Sequence, residues 1–266
     1  MPRKFEIILV LTAFFSAAAP GALSARSNDF SGRHPERPAV IEDPRKSLEV
    51  GERLVFEVFW MGVPVGEGTL EVKEKVRVHG RPAFHLVAVA RTNDFLSKIY
   101  PVYDEVHSYL DAERFYSLEF RKNVREGRYR ADERIIFDHG KKKGFYESFR
   151  NHGKKEIELV PGAQDLLSAF YWFRLQPVTV GKSVKAVVSS DEKNWDLELE
   201  VQGWETKELR GGEIIPTFVV EPKTRLKGIL YRRGRAWVNF SCDSARRPIW
   251  ITLKTPFGPV VGVLKT

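Results

Sequence analysis

Sulfur is nearly absent from this chain: its 266 residues include one cysteine and two methionines. A single thiol excludes an internal disulfide framework and any cysteine-rich zinc site. Catalytic signatures are missing too. No glycine-rich cradle follows a strand and opens a helix, and no G-x-S-x-G elbow presents a serine nucleophile. His34, His79, His85, His107, His139 and His152 are scattered, and none stands in a zinc-type spacing. No metal and no cofactor is therefore expected. What the chain does have is apolar material, 42% hydrophobic with 12% aromatic, enough to build a core and to exclude wholesale disorder. It is also basic, with 43 Lys+Arg against 35 Asp+Glu.

The first 25 residues have the layout of a secretory signal peptide. Arg3 and Lys4 precede the apolar stretch Ile7 to Phe15, and small residues follow through Ala25. The stretch is shorter than the roughly 20 residues that span a bilayer. Cleavage after Ser24 or Ala25 is expected, with residence in the periplasm; an uncleaved anchor is the alternative. No cysteine lies near the junction to carry a lipid. Loss of Arg3, Lys4 and Glu6 lowers the net charge from +8 to +7, and no transmembrane segment is expected after cleavage. Residues 26–47 hold three prolines, dense mixed charge and little apolar periodicity, and read as a disordered leader. One β-rich domain is expected over 48–266.

Within that domain the dominant period is two. Leu54, Phe56, Val58 and Trp60 share one face of an extended run; Gly62 to Gly66 reads as a turn, and Leu70, Val72, Val76 and Val78 resume the alternation. Runs at 84–90, 102–110, 115–124, 195–204, 214–220, 237–240, 248–254 and 260–264 continue it, and 134–149 reads as a hairpin around Asp138-His139-Gly140. About a dozen short strands without intervening helices predict an all-β, mostly antiparallel fold. So many strands favour a strongly curved sheet or partly closed β-barrel, with a two-sheet β-sandwich as the alternative. One segment departs from the period. Ala163 to Leu175 carries Leu166, Leu167, Phe170, Tyr171 and Phe173 at helical spacing, capped by Asp165 and ended by Pro177. A helix this apolar is expected to pack on the sheet, as a plug or as a lid over a ligand.

Asp104, His107 and Ser108 suggest a triad, but on a strand His107 points away from the other two, so they cannot converge locally. Asp104, Glu105, Asp165 and Asp243 remain open as a carboxylate set for glycoside chemistry. Basic residues cluster at Arg121-Lys122 with Arg125, Lys141 to Lys143, Lys154-Lys155, Arg232-Arg233 with Arg235, and Arg246-Arg247. They read as a solvated rim or as a surface for an anionic envelope partner. Nucleic acid is not expected as a partner of an exported chain. Cys242 reads as a small core residue.

Five segments together resemble a known family: GERLVFEVFWMGVPVGEGTL (51–70), VYDEVHSYLD (102–111), PGAQDLLSAFYWFRL (161–175), VEPKTRLKGIL (220–230) and SCDSARRPIWITLKTPFGPVVGVL (241–264). The family is an exported bacterial group, domain-of-unknown-function family 3108, and Asp165 to Arg174 is the most specific part of the match. The resemblance implies a secreted, mostly periplasmic protein rich in antiparallel strands. Carried over by position, Asp165, Ser168, Tyr171 and Arg174 on the helix, with Asp243 and Arg247 near the end, are the residues to test. The chain departs from the pattern at Cys242, which stands where an acidic pair is usual and favours a structural role there. Asp165 and Arg174 lie nine apart and face different ways, so each needs a partner from the sheet; Asp104 is the expected partner of Arg174. The expected function is non-enzymatic binding of a lipidic or saccharide component of the cell envelope, with Phe170 and Phe173 near the ligand. Docking of another envelope protein and hydrolysis of envelope glycans are the alternatives.

Overall fold

A computed structural model describes residues 41–190, 193–224 and 235–265. The expected signal segment, most of the expected leader, and Arg232-Arg233 lie outside the described residues. Fourteen strands form one antiparallel sheet. In chain order they are β1 (Arg53–Trp60), β2 (Val63–Val78), β3 (Arg81–Thr92), β4 (Tyr103–Asp111), β5 (Ser117–Glu126), β6 (Tyr129–Asp138), β7 (Lys143–Ser148), β8 (Lys154–Glu158), β9 (Ser183–Ser190), β10 (Lys193–Glu208), β11 (Ile214–Thr224), β12 (Arg235–Ser241), β13 (Pro248–Thr255) and β14 (Gly258–Leu264). A four-residue helix α1 (Asp94–Ser97) follows β3, and helix α2 (Leu166–Arg174) falls between β8 and β9. The all-β reading holds, as one curved sheet rather than a two-sheet sandwich.

Strand order explains the curvature. From one edge the sheet runs β8 back to β1, then β14 back to β9, so every neighbour is a sequence neighbour except the pair β1–β14. Phe56 faces Leu264 and Trp60 faces Val260 across that junction. The two edge strands, β8 and β9, are not paired to each other. The chain leading into α2 lies at the gap: Ser117 N–H donates to Ala163 O, and Gln164 exchanges backbone hydrogen bonds with β9 (Gln164 N to Val187 O, Ser189 N to Gln164 O). A short parallel bridge thus covers an edge that would otherwise expose unpaired backbone groups.

The inward face carries the expected alternation. Phe56, Val58, Val72, Phe84, Leu86, Leu110, Val201, Val220, Val238 and Ile249 are fully buried in one cluster, and α2 lies inside the concave face with them. Phe170 and Phe173 pack on Phe240 at ring separations of 5.6 and 5.2 Å, and Phe218 stacks on the same ring at 5.7 Å. A helix apolar on nearly every side is stable only when surrounded in this way.

The turn expected at 62–66 is tighter than read. Met61 and Gly62 make it, both with positive φ (51° and 84°), and β2 begins at Val63. Gly66 lies inside β2 because a Cβ there would sit 2.1 Å from Arg91 O, a backbone atom of the paired strand. Part of the expected leader is also fixed: Glu42 N–H donates to Cys242 O and Arg45 N–H to Ser244 O. The buried Arg246 holds this junction, donating to Glu42 O at 3.0 Å and to Gln176 O just past α2. Arg246 is therefore not part of the solvated basic rim expected for it.

Candidate functional site

Two of the residues singled out from the sequence, Asp165 and Arg174, fasten α2 at its two ends. Asp165 caps the N-terminus: Oδ1 accepts from Leu167 N and Ser168 N, each at 2.8 Å, and Ser168 Oγ accepts from Asp165 N. Its second oxygen accepts from Ser108 Oγ on β4 at 2.6 Å and from Ser117 Oγ on β5. Burial pushes this carboxyl up, against four donors that favour the ionised form.

Arg174 makes the other fastening, and here the expected partner is corrected. Glu52, beside the start of β1, takes the guanidinium in a two-oxygen grip at 2.6 and 2.7 Å, while Ala245 O accepts from Nε and Nη2. Asp104 is at the other end of the sheet and cannot reach it. The guanidinium also lies 5.2 Å from the Tyr171 ring.

Asp104 has a partner the sequence did not suggest. It accepts from Arg125 N at 2.9 Å, beside the carboxyl of Glu126 at the end of β5. Both carboxyls are buried, and burial raises that of Asp104. Asp243 organises the β12–β13 turn, accepting from Ser241 Oγ and Arg246 N, with Arg247 at 3.5 Å. Asp104, Asp165 and Asp243 thus occupy three separate places. Asp104 and Ser108 alone are about 13 Å apart along β4. Nor do the histidines stay scattered: His85 and His107 meet at 2.9 Å across β3 and β4, with Glu74 and Glu105 at the outer ends of the chain they form. Among the described residues no group of three such side chains is arranged to hold a metal. Cys242 is buried, and burial pushes its thiol up to about 11.

Two open clefts are present. One, about 520 Å³, lies between Phe115, Gly162, Gln164, Trp172 and β9–β10. The other, about 740 Å³, lies on the outer face of the sheet and has the more apolar floor. A register shift between Val201 and Gly203 bends β10, so the end of the β10–β11 hairpin stands over β13, β14 and β1. Phe59, Trp250, Val261 and Val263 line this groove, and Leu209 of the hairpin faces them. Arg210 sits at its edge, paired to Glu57 at 2.9 Å and 5.7 Å from the Phe59 ring. Lys265, paired to Glu67 at 2.8 Å, marks one end, and Gly62 in the β1–β2 turn marks the other. The sequence carried a signal for it: Val260, Val261 and Val263 do not alternate, which is what a strand covered on both faces looks like.

The class that follows is a barrel-like antiparallel β protein with an internal helix, an external apolar groove and no convergence of the carboxylates read from the sequence. The chain belongs to the family described as protein of unknown function (DUF3108), whose model matches residues 55–265. A comparison with curated proteins finds no match. Among solved structures it is similar to the β-barrel-like protein of domain of unknown function DUF1849 from Brucella abortus, at 10% identity and a TM-score of 0.50 over 82% of this chain and 96% of that one. That likeness concerns the fold.

Proposed function

We propose that the protein is a non-enzymatic binder of an acyl-chain amphiphile of the cell envelope, held in the groove between the β10–β11 hairpin and the outer face of β13, β14 and β1. The observation that carries the proposal is the floor of that groove, where Phe59, Trp250, Val261 and Val263 form an apolar strip on the face of the sheet opposite Phe56 and Val58, with Val263 buried beneath the hairpin. Its volume lies within the range of small-molecule sites. Arg210 and Lys265 at the margin supply cations for an anionic head, each already neutralised by Glu57 or Glu67. The apolar floor favours a lipid chain over a saccharide. Residence in the periplasm is part of this reading and rests on the pattern of residues 1–25.

Native mass spectrometry of gently purified protein is expected to show an adduct of lipid mass, and Val261→Trp, which fills the groove, is expected to lose it. Added lysophospholipid at 100 times its Kd should raise the unfolding free energy by about 2.7 kcal/mol. A clean apo mass, with no melting shift across fatty acids, lysophospholipids and phosphatidylglycerol, overturns the proposal.

A further inference from the structure

Large exposed apolar side chains are concentrated at one end of the sheet. Because the strands alternate in direction, the β1–β2, β3–β4, β5–β6, β7–β8 and β13–β14 connections all fall at that end. Nine of the thirteen exposed large hydrophobics among the described residues lie there, and Phe95, Ile99 and Met61 are 75%, 72% and 64% exposed. Hydrogen bonds join four of these five connections into one rim, and β7–β8 follows beside β5–β6. Trp60 Nε1 donates to Phe257 O at 3.0 Å, Asn93 Nδ2 to Pro64 O at 2.8 Å, and Gly127 N to Pro101 O at 2.8 Å. An apolar surface gathered in this way needs a partner.

Charge identifies which partner. On or beside these five connections Lys98, Arg125, Arg128, Arg130, Arg150, Lys154 and Lys254 are exposed, and Asp94 is the exposed acid among the described residues of the connections themselves. The opposite end mixes signs: Lys141 to Lys143, Arg114, Arg210 and Arg247 are exposed there, but so are Glu113, Glu208 and Glu213. Trp60, Tyr103 and Tyr129 supply aromatic rings with a polar atom, the side chains that settle at headgroup level.

We infer that this rim docks on an anionic phospholipid surface, with Met61, Phe95, Ile99 and Phe257 entering the headgroup boundary and the surrounding cations facing lipid phosphates. Gly62 belongs both to the rim and to the groove, so a docked molecule holds one end of the groove at the lipid surface. The inference goes beyond ligand binding in the groove and stands without it.

Vesicle co-sedimentation tests it, with phosphatidylglycerol in phosphatidylcholine against phosphatidylcholine alone. Binding is expected to the anionic vesicles, to weaken with salt, and to fall at least tenfold in both Met61→Asp/Phe95→Asp and Arg128→Glu/Arg150→Glu, since each cation at an anionic surface is worth about fivefold. Unchanged thermal melting shows that these exposed substitutions leave the fold intact. Val261→Trp is expected to bind vesicles as the parent does, even if it loses a groove ligand. Absence of vesicle binding, or binding equal on neutral vesicles, overturns the inference. So does binding that Val261→Trp abolishes while the rim variants retain it.

Discussion

Asp104 and Glu126 place two carboxyl groups together out of water at the rim end of β4 and β5, and such a pair cannot hold two negative charges cheaply. Burial raises the Asp104 carboxyl, so the folded protein retains a proton that the unfolded chain releases near pH 4. Linkage then fixes the sign. The native state binds more protons in this window, so the contribution of Asp104 is most favourable below about pH 4 and is lost as pH rises through its native value. Asp104→Asn keeps the acceptor for Arg125 N and carries no charge. Its urea-unfolding free energy relative to the parent should therefore increase from pH 4 toward pH 8; parallel curves would contradict the raised Asp104 carboxyl.

At the scale of the element, α2 is held by polar contacts at its ends and apolar contacts along its length. Arg174 and Glu52 lie 122 positions apart in sequence and are largely buried together. Removing one member strands the other, which typically costs about 3–5 kcal/mol. Arg174→Met should lower the unfolding free energy by that amount, read as a lower urea midpoint at an unchanged denaturant slope, and adding Glu52→Leu should recover part of the loss; a surface-like effect under 1 kcal/mol would mean the pair is solvated. The helix itself was legible, because its apolar spacing, Asp165 and Pro177 are local signals. Its anchor was not, because no local pattern links residue 174 to residue 52. The same division runs through the sheet. Alternation reveals β1, β6, β7 and β10, whereas β8, KKEIE, carries a single apolar residue and shows no alternation, and the Asp104–Glu126 and His85–His107 contacts depend on strand register.

For the whole molecule, the two edges of the sheet are treated differently, and hydrogen exchange should report it. In β8 the single buried residue is Ile157, and among the described residues no further strand of the sheet lies beyond it. In β9 the Ser189 amide donates to Gln164 O at 2.8 Å. Amides of β8 are expected to exchange fastest among the strands, Ser189 far more slowly, and those of β1 and β14 at the sheet's centre slowest. Protection of β8 equal to that of β1 would indicate that the edge is covered.

The pairing of β1 with β14 also sets the order in which this chain can be made. Every other strand pairing joins neighbours in sequence and closes a short loop, so the meanders β1–β8 and β9–β14 can each zip from hairpins. Uniting them requires Phe56 to find Leu264, a single long jump whose search cost is entropic and comes due at the last step. Until residues 258–264 have emerged, β1 keeps one edge open. The sheet therefore stays in two parts until β14 has been made, and that seven-residue strand works as the latch.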